Sequence, residues 1–261
     1  MKPLVIEFLG TQGSGKTSLL PTVVAFFKEQ GVQARTPTEA ARPYAKRTWL
    51  GKIVSALSPS ALREPLLWQV YYRMSMLARL EFNRKYRSLA RFVLKTQRSR
   101  PNAASVKERR ILFWFSHLTG IYTFLNRYAC ENEALVFDDG FVHRTVHLNA
   151  SPVENPQKEN IIEYLSQIPV PDLLIVPRVP LDVCMERVQR RGVWDHFRDK
   201  TQAELRDYMA NSECIVNIAV NELERNGCAV VEIDNSDADV QKTITELREK
   251  LSQIRFAALP T

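Results

Sequence analysis

A glycine-rich turn near the start of the chain constrains its fold more than any other feature. The apolar run from Leu4 to Leu9 predicts a buried strand, and apolar residues at helical spacing predict a helix over Lys16 to Gln30. Between them, GTQGSGKT at Gly10 to Thr17 completes the pattern G-x-x-x-x-G-K-[ST]. A strand before this pattern and a helix after it are the context in which the pattern wraps around a phosphate. The sequence therefore predicts a phosphate-binding loop in an α/β fold.

The residue types in this loop suit a nucleoside triphosphate. Gly13 and Gly15 let backbone amides turn inward around phosphate oxygens, and the helix start adds a partial positive charge. The ammonium of Lys16 would neutralise the β- and γ-phosphates, and the hydroxyl of Thr17 would be a ligand of Mg²⁺. We therefore expect a triphosphate and Mg²⁺ as cofactors. The full set of candidate nucleotide-binding residues is Gly10, Gln12, Gly13, Ser14, Gly15, Lys16, Thr17, Leu19, Arg190 and Asn235.

An acidic site should lie at the end of a neighbouring strand, because Mg²⁺ keeps waters that need a carboxylate partner. The run ALVFDD at 134–139 ends a predicted strand with two aspartates. Asp138 is the candidate metal residue together with Thr17. Either Asp138 or Asp139 could accept the proton of an attacking hydroxyl, and Gly140 would allow a turn beside a ligand. An acidic turn with no ligand is the alternative interpretation.

The rest of the chain predicts one α/β domain. Apolar runs near 32–36, 134–138, 172–176 and 229–233 alternate with stretches of helical period. Such alternation implies βαβ units and a parallel sheet covered by helices on both faces. We therefore predict a three-layer P-loop NTPase fold with a parallel five-stranded sheet, as a single domain over residues 1–261.

Location and redox state follow from what the sequence lacks. The residues before the first apolar run are too few for a secretory signal, and no apolar stretch approaches the ~18 residues of a spanning helix. A cytoplasmic location is therefore expected. The cysteines stand singly, which favours free thiols over a metal site or disulfides. They are Cys130, Cys184, Cys214 and Cys228.

The layout resembles the thymidylate kinase-like branch of the P-loop nucleoside and nucleotide kinases. Neither the N-K-x-D motif of GTPases nor the LSGGQ motif of transporter ATPases occurs in the chain. The matching segments follow the kinase order over nearly the whole sequence. They are GTQGSGKT at 10–17, Thr38-Glu39 after the second strand, FDDG at 137–140, ERVQRRGVWDHFRD at 186–199 and EIDNSDAD at 232–239.

The resemblance implies an ATP-dependent kinase with an arginine-rich lid at about 186–202. Lid arginines close over the phosphates and exclude water. Arg187 and Arg191, one helical turn apart, would stabilise the transferring phosphoryl group together with Lys16, and Arg190 would contact the nucleotide. Cations near a helix C-terminus are also favoured by the helix dipole in any fold, which is the alternative interpretation.

The chain departs from this family at two positions. Related kinases have Asp-Arg-Tyr where this chain has Asp138-Asp139-Gly140, so an acid replaces the arginine that binds the acceptor phosphate. Leu9 replaces the glutamate that often precedes the first loop glycine. The γ-phosphate would therefore go to a small-molecule acceptor, either a hydroxyl group or a nucleotide-like phosphate. An uncharged or cationic hydroxyl acceptor is the more attractive of the two.

A basic block lies between these motifs. Residues 41–110 hold 17 Lys or Arg against 3 Asp or Glu, in a chain whose net charge is +7, and we predict an enlarged helical acceptor region there. Basic residues recur at steps of three and four, opposite an apolar face that includes Phe82, Tyr86, Leu89 and Val93. The basic residues of this stripe are Arg84, Arg87, Arg91, Lys95 and Arg98.

Several uses of the basic stripe stay open. It could be a solvated helix face, or a surface that docks an anionic membrane or a lipid-linked acceptor, which would make the protein peripheral at the membrane. Nucleic acid is a weaker candidate, because no recognised nucleic-acid motif accompanies the charge. Self-association as a homodimer is the remaining use. The corresponding alternative function is a nucleotide-switched ATPase that docks a membrane or polyanion.

Aromatic residues in the helical region are candidates for an acceptor pocket, where their rings would stack on a flat or sugar-like substrate. A place in the core is the alternative for each of them. They are Trp68, Tyr71, Tyr72, Trp114 and Phe115.

Overall fold

The central strand of the sheet is β1, Leu4–Phe8, which is buried at every position. The computed structural model describes residues 2–98, 106–192, 200–236 and 239–254. Within them, five strands form one parallel sheet in the order β2-β3-β1-β4-β5. The other strands are β2 Gln33–Arg35, β3 Glu133–Phe137, β4 Leu173–Arg178 and β5 Ala229–Asp234.

Helices cover both faces of the sheet. Those between β1 and β3 are α1 Lys16–Glu29, α2 Pro37–Arg47, α3 Trp49–Leu57, α4 Ser60–Lys85, α5 Arg87–Arg98 and α6 Val106–Tyr128. Those after β3 are α7 Phe141–Asn149, α8 Lys158–Leu165, α9 Leu181–Arg191, α10 Gln202–Arg225 and α11 Val240–Gln253.

The alternating side chains of β1 divide the core into two layers. Leu4, Ile6 and Phe8 pack with α1 and α11 on one face of the sheet. Val5 and Leu9 face the larger group of helices on the other face. The predicted three-layer α/β fold with a five-stranded parallel sheet is confirmed. A strand buried on both faces explains why β1 is a nearly continuous apolar run.

The basic region consists of helices, as predicted, and a break lies within the basic stripe. Helix α4 ends just before Tyr86, whose backbone (φ −111, ψ 50) is not helical, and α5 begins at the residue after it. Arg84 therefore belongs to α4, and the other stripe residues belong to α5. All five basic residues of the stripe are exposed, whereas Leu89 and Val93 are buried, so α5 is amphipathic. Glu39 caps α2, accepting a 2.9 Å hydrogen bond from the Thr36 amide. Within the described residues, no helix combines the length and hydrophobicity that a membrane span needs.

Two helices after β3, α7 and α8, are not predicted by the sequence pattern. Seven of the nine residues of α7 are buried, so no polar face gives the segment a helical period. The sequence pattern predicts loops at Ser99 to Ser105 and Ser151 to Asn160, but helix α8 begins at Lys158, inside the second of these segments. The suggested loop from Ser99 to Ser105 lies outside the described residues.

Candidate active site

Three loops meet at one edge of the sheet because β1 lies between β3 and β4 and all three strands are parallel. The glycine-rich loop follows β1, Asp138 and Asp139 follow β3, and the entry to α9 follows β4. The register places Glu7 opposite Phe137, so the acidic turn begins beside the end of β1. Ligands of open parallel sheets bind at this edge.

The glycine-rich loop closes around its own lysine. The Nζ of Lys16 donates hydrogen bonds to the carbonyl oxygens of Gly10 at 2.8 Å and Thr11 at 2.9 Å. Gly13 (φ 79) and Gly15 (φ 90) adopt the left-handed conformation that strongly favours glycine. Helix α1 begins at Lys16 with neither a side-chain cap among the described residues nor an acidic residue in its first turn. Its first amides are therefore free of a competing carboxylate, and an anion would satisfy them.

Two predicted site residues, Asn235 and Arg187, donate hydrogen bonds to the backbone of the loop. The side-chain amide of Asn235, at the end of β5, donates to the Ser14 carbonyl at 2.7 Å and fills the space that a Cβ on Gly15 would need. The guanidinium of Arg187, on α9, donates to the carbonyls of Asn235 at 2.9 Å and Gly13 at 3.4 Å. The geometry therefore gives Asn235 and Arg187 contacts with the loop backbone that the sequence pattern did not indicate.

Other predicted loop residues differ in their surroundings. Thr17 is exposed, Gln12 is partly exposed, and Ser14 is buried. The side chain of Leu19 is 1% exposed and packs in the core, while its amide donates to the Gly15 carbonyl at 3.1 Å. The Thr17 hydroxyl is thus accessible to a ligand, whereas Leu19 anchors α1 to the sheet.

The charges of the acidic turn act on the ammonium of Lys16. Burial lowers the pKa of Lys16 to about 8, the charges of Asp139 and Asp138 act to raise it, and Arg191 acts to lower it further. Asp138, Asp139 and Arg191 therefore lie close enough to Lys16 for their charges to act on its pKa, and Arg187 contacts the backbone of the same loop. Arg191 and Arg190 are exposed at the end of α9, and residues 193–199 of the predicted lid lie outside the described residues.

The lowered pKa of Lys16 predicts proton uptake when a triphosphate binds. Anionic oxygens beside the ammonium would raise its pKa from about 8 back towards 10.5, so binding at about pH 9 should take up close to one proton. Isothermal titration calorimetry in two buffers of different ionisation enthalpy measures the uptake. Equal heats in the two buffers would contradict this prediction, and Lys16→Met, which has no titrating group there, is the control.

Glu7 is a functional candidate that the sequence reasoning missed. Its carboxylate is fully buried in β1 and accepts hydrogen bonds from the amides of Phe141 at 3.1 Å and Val142 at 2.8 Å. Glu7 thereby caps the first turn of α7. Gly140 has ordinary extended backbone, but a Cβ there would collide with the Glu7 carboxylate, so glycine is required for space. Glu7 therefore fixes the turn that carries Asp138 and Asp139.

Titration of Glu7 predicts a pH-dependent stability. Burial raises the pKa of Glu7 to about 7, while the hydrogen bonds from Val142 and Phe141 lower it. The pKa of Glu7 in the folded chain lies above the ordinary value of 4.5. The contribution of protonated Glu7 to the stability of the fold is therefore fully present below about pH 4.5 and is lost as the pH rises to about 7. The loss should be roughly 3 kcal/mol in the free energy of unfolding. Urea unfolding at several pH values measures it, and a Glu7→Gln variant with the same pH dependence as the wild type would contradict it.

Arg144, on α7, forms an ion pair with the acidic turn. Its Nη2 donates to Asp139 Oδ2 at 2.6 Å, and Arg144 is 8% exposed. Burial raises the pKa of Asp139, Arg144 and Lys16 lower it, and Asp138 raises it. The sequence pattern does not indicate this contact, because Arg144 comes close to Asp139 only through the first turn of α7, a helix that the pattern does not predict.

The aromatic candidates divide between core and surface. Tyr71 and Phe115 are 5% and 6% exposed and belong to the core. Tyr72 on α4 and Trp114 on α6 are about half exposed, and each has its ring close to the ring of His117 on α6. Trp68 is partly exposed and packs against the core, so it keeps some surface on which a substrate could stack, as do Tyr72 and Trp114.

Comparison with known proteins gives no family for the chain. No family model matches it, and no curated protein matches it. Among solved structures, 143 chains match. One of them is deoxyadenosine kinase from M. mycoides with bound dCTP, at 12% sequence identity and a TM-score of 0.37, over 96% of this chain and 100% of that chain.

Proposed function

We propose that the chain is a Mg·ATP-dependent phosphotransferase that moves the γ-phosphate to a small-molecule acceptor. One observation carries the proposal. The ammonium of Lys16 sits in the closed glycine-rich loop, at the uncapped start of α1 and within the field of two carboxylates at the end of β3. A cradle for anionic phosphates thus faces an acidic group that could orient an attacking hydroxyl.

The loop and the start of α1 would bind the triphosphate, and Lys16 would stabilise the charge that develops on the γ-phosphoryl oxygens. Bound Mg²⁺ would neutralise the β- and γ-phosphates, with the accessible Thr17 hydroxyl and Asp138 as its protein partners. Arg191, exposed at the end of α9, would complete the positive surroundings.

The transfer step would exchange one P–O bond for another. The acceptor hydroxyl oxygen attacks the γ-phosphorus, the bond from the γ-phosphorus to its bridging oxygen breaks, and ADP leaves with that oxygen. Asp138 or Asp139 accepts the hydroxyl proton. Burial raises the pKa of Asp139, which makes its carboxylate more basic than an ordinary aspartate, while Arg144 acts to lower that pKa.

The Asp139–Arg144 pair supports a neutral or cationic acceptor. The guanidinium beside the acidic turn is already neutralised by Asp139, so an incoming monophosphate would compete with a carboxylate at 2.6 Å. Like charges brought together in this way disfavour binding. A sugar, a nucleoside or an amino-alcohol would meet no such competition.

An acceptor panel tests the proposed function. ADP formation should be stimulated by hydroxyl acceptors without negative charge and not by monophosphates. Asp139→Asn would release Arg144, so this variant should gain binding of anionic acceptors even where its turnover falls. ADP formation that no acceptor stimulates would contradict the proposal.

A further inference from the structure

Three potential metal ligands recur at intervals of four residues, from the turn before α7 to the last turn of that helix. Asp139 stands just before the helix, and His143 and His147 lie on it. Residues four apart on a helix are neighbours on one face. One ligand atom of each side chain lies within 4.8 Å of the ligand atoms of the other two.

Two polar atoms of this cluster lack a partner in the described part of the chain. Nδ1 of His143 and Oδ1 of Asp139 are buried without a hydrogen bond there, and His143 is only 6% exposed. Most buried polar atoms in proteins have a partner, so two such atoms in one cluster of potential ligands indicate a ligand.

The surroundings hold the cluster in place. The other oxygen of Asp139, Oδ2, accepts the hydrogen bond from Arg144, which leaves Oδ1 for a ligand and fixes the carboxylate. Carboxylates that bind metals are usually hydrogen-bonded in this way on their outer side. The imidazole rings of His143 and His147 lie 5.0 Å apart and nearly perpendicular, at 89°. Small side-chain rotations would bring one nitrogen from each ring and Asp139 Oδ1 onto a common ion.

We propose that Asp139, His143 and His147 form a binding site for a divalent transition metal of the zinc class. Two imidazoles and one carboxylate suit Zn²⁺, Fe²⁺ or Ni²⁺, whereas Mg²⁺ prefers oxygen ligands and is assigned above to Thr17 and Asp138. Three protein ligands leave a coordination position open for an oxygen of a small molecule. The site does not depend on the proposed phosphotransfer, because nucleotide is not needed to form it.

Metal binding is tested on the untagged, metal-free chain without nucleotide. Titration with Zn²⁺ should show one ion per chain with a dissociation constant of about 1 μM or lower. Asp139→Asn and His147→Gln should each weaken Zn²⁺ binding at least about tenfold. His147 is the variant of choice because it is partly exposed, whereas replacing the buried His143 could disturb folding.

Controls separate this site from other potential ligands. His117→Gln changes a histidine outside the cluster and should leave the affinity unchanged. Cys130 and Cys214 are exposed thiols, so the titration is repeated with both replaced by Ser. With Co²⁺, the cluster should give a visible d–d band without a thiolate charge-transfer band. No saturable binding, equal affinity in Asp139→Asn and His147→Gln, or binding that disappears with the thiols would overturn the proposal.

Discussion

Replacing Lys16 by Met should reduce phosphate transfer by about 10³-fold or more, because the charge that stabilises the transferring phosphoryl group is removed. Triphosphate affinity should fall as well, since the loop would lose its only ammonium. Steady-state transfer of label from ATP measures the first effect, and calorimetric titration with a non-hydrolysable triphosphate measures the second. Lys28→Met, which changes an exposed lysine in the last turn of the same helix, is the matched control.

The fold of the Lys16→Met variant should survive. Burial lowers the pKa of Lys16 to about 8, so the charged group is unfavourable in the folded chain at neutral pH and its removal relieves that cost. The carbonyls of Gly10 and Thr11 lose their donor at the same time. These effects oppose each other, and we expect a change within about 1 kcal/mol in the free energy of unfolding. Wild-type turnover in a folded Lys16→Met variant would remove Lys16 from the mechanism.

Asp138→Asn should reduce turnover by about 10² to 10⁴-fold with little effect on stability. Asp138 is partly exposed at the end of β3, so the neutral amide can occupy the same place. Two readouts distinguish its proposed roles. A loss of metal binding raises the Mg²⁺ concentration needed for half-maximal rate, whereas a loss of the base changes the pH profile of kcat. Turnover equal to the wild type at all Mg²⁺ concentrations would exclude both roles.

Asp139→Asn is the informative comparison for Asp138→Asn. The substitution removes the carboxylate that lies 2.6 Å from the guanidinium of the buried Arg144. We expect the free energy of unfolding to fall by about 2 kcal/mol. Thermal unfolding should therefore show little change for Asp138→Asn, since Asp138 acts through a ligand. It should show a clear loss of stability for Asp139→Asn, since Asp139 also holds α7 in place. A fully stable Asp139→Asn chain would contradict the importance of the ion pair.

The parts of the site that could be predicted from the sequence are those set by local pattern. The glycine-rich loop, the strand before it and the helix after it occupy consecutive residues, so their spacing alone located Lys16 and Thr17. The acidic turn was found because two aspartates directly follow an apolar strand. The five parallel strands followed from alternation of periods, and the structure confirms them.

The rest depends on contacts between distant segments. Glu7 reaches α7 across 134 residues, and Arg187 reaches Gly13 across 174 residues. A single glutamate in the apolar strand LVIEF was nevertheless a usable signal, because a buried carboxylate needs donors. Arg144 and the two histidines of the proposed metal site became meaningful only with α7, whose almost complete burial removed the helical period from its sequence.

The fate of the γ-phosphate tests the central proposal most directly. Purified protein is incubated with γ-labelled ATP, Mg²⁺ and a mixed panel of nucleosides, monophosphates, sugars, amino-alcohols and lipid headgroups, with Lys16→Met in parallel. We predict label on one organic acceptor with the wild-type chain and none with the variant. Label released only as inorganic phosphate, whatever acceptor is present, would contradict a phosphotransferase and favour a nucleotide-switched ATPase.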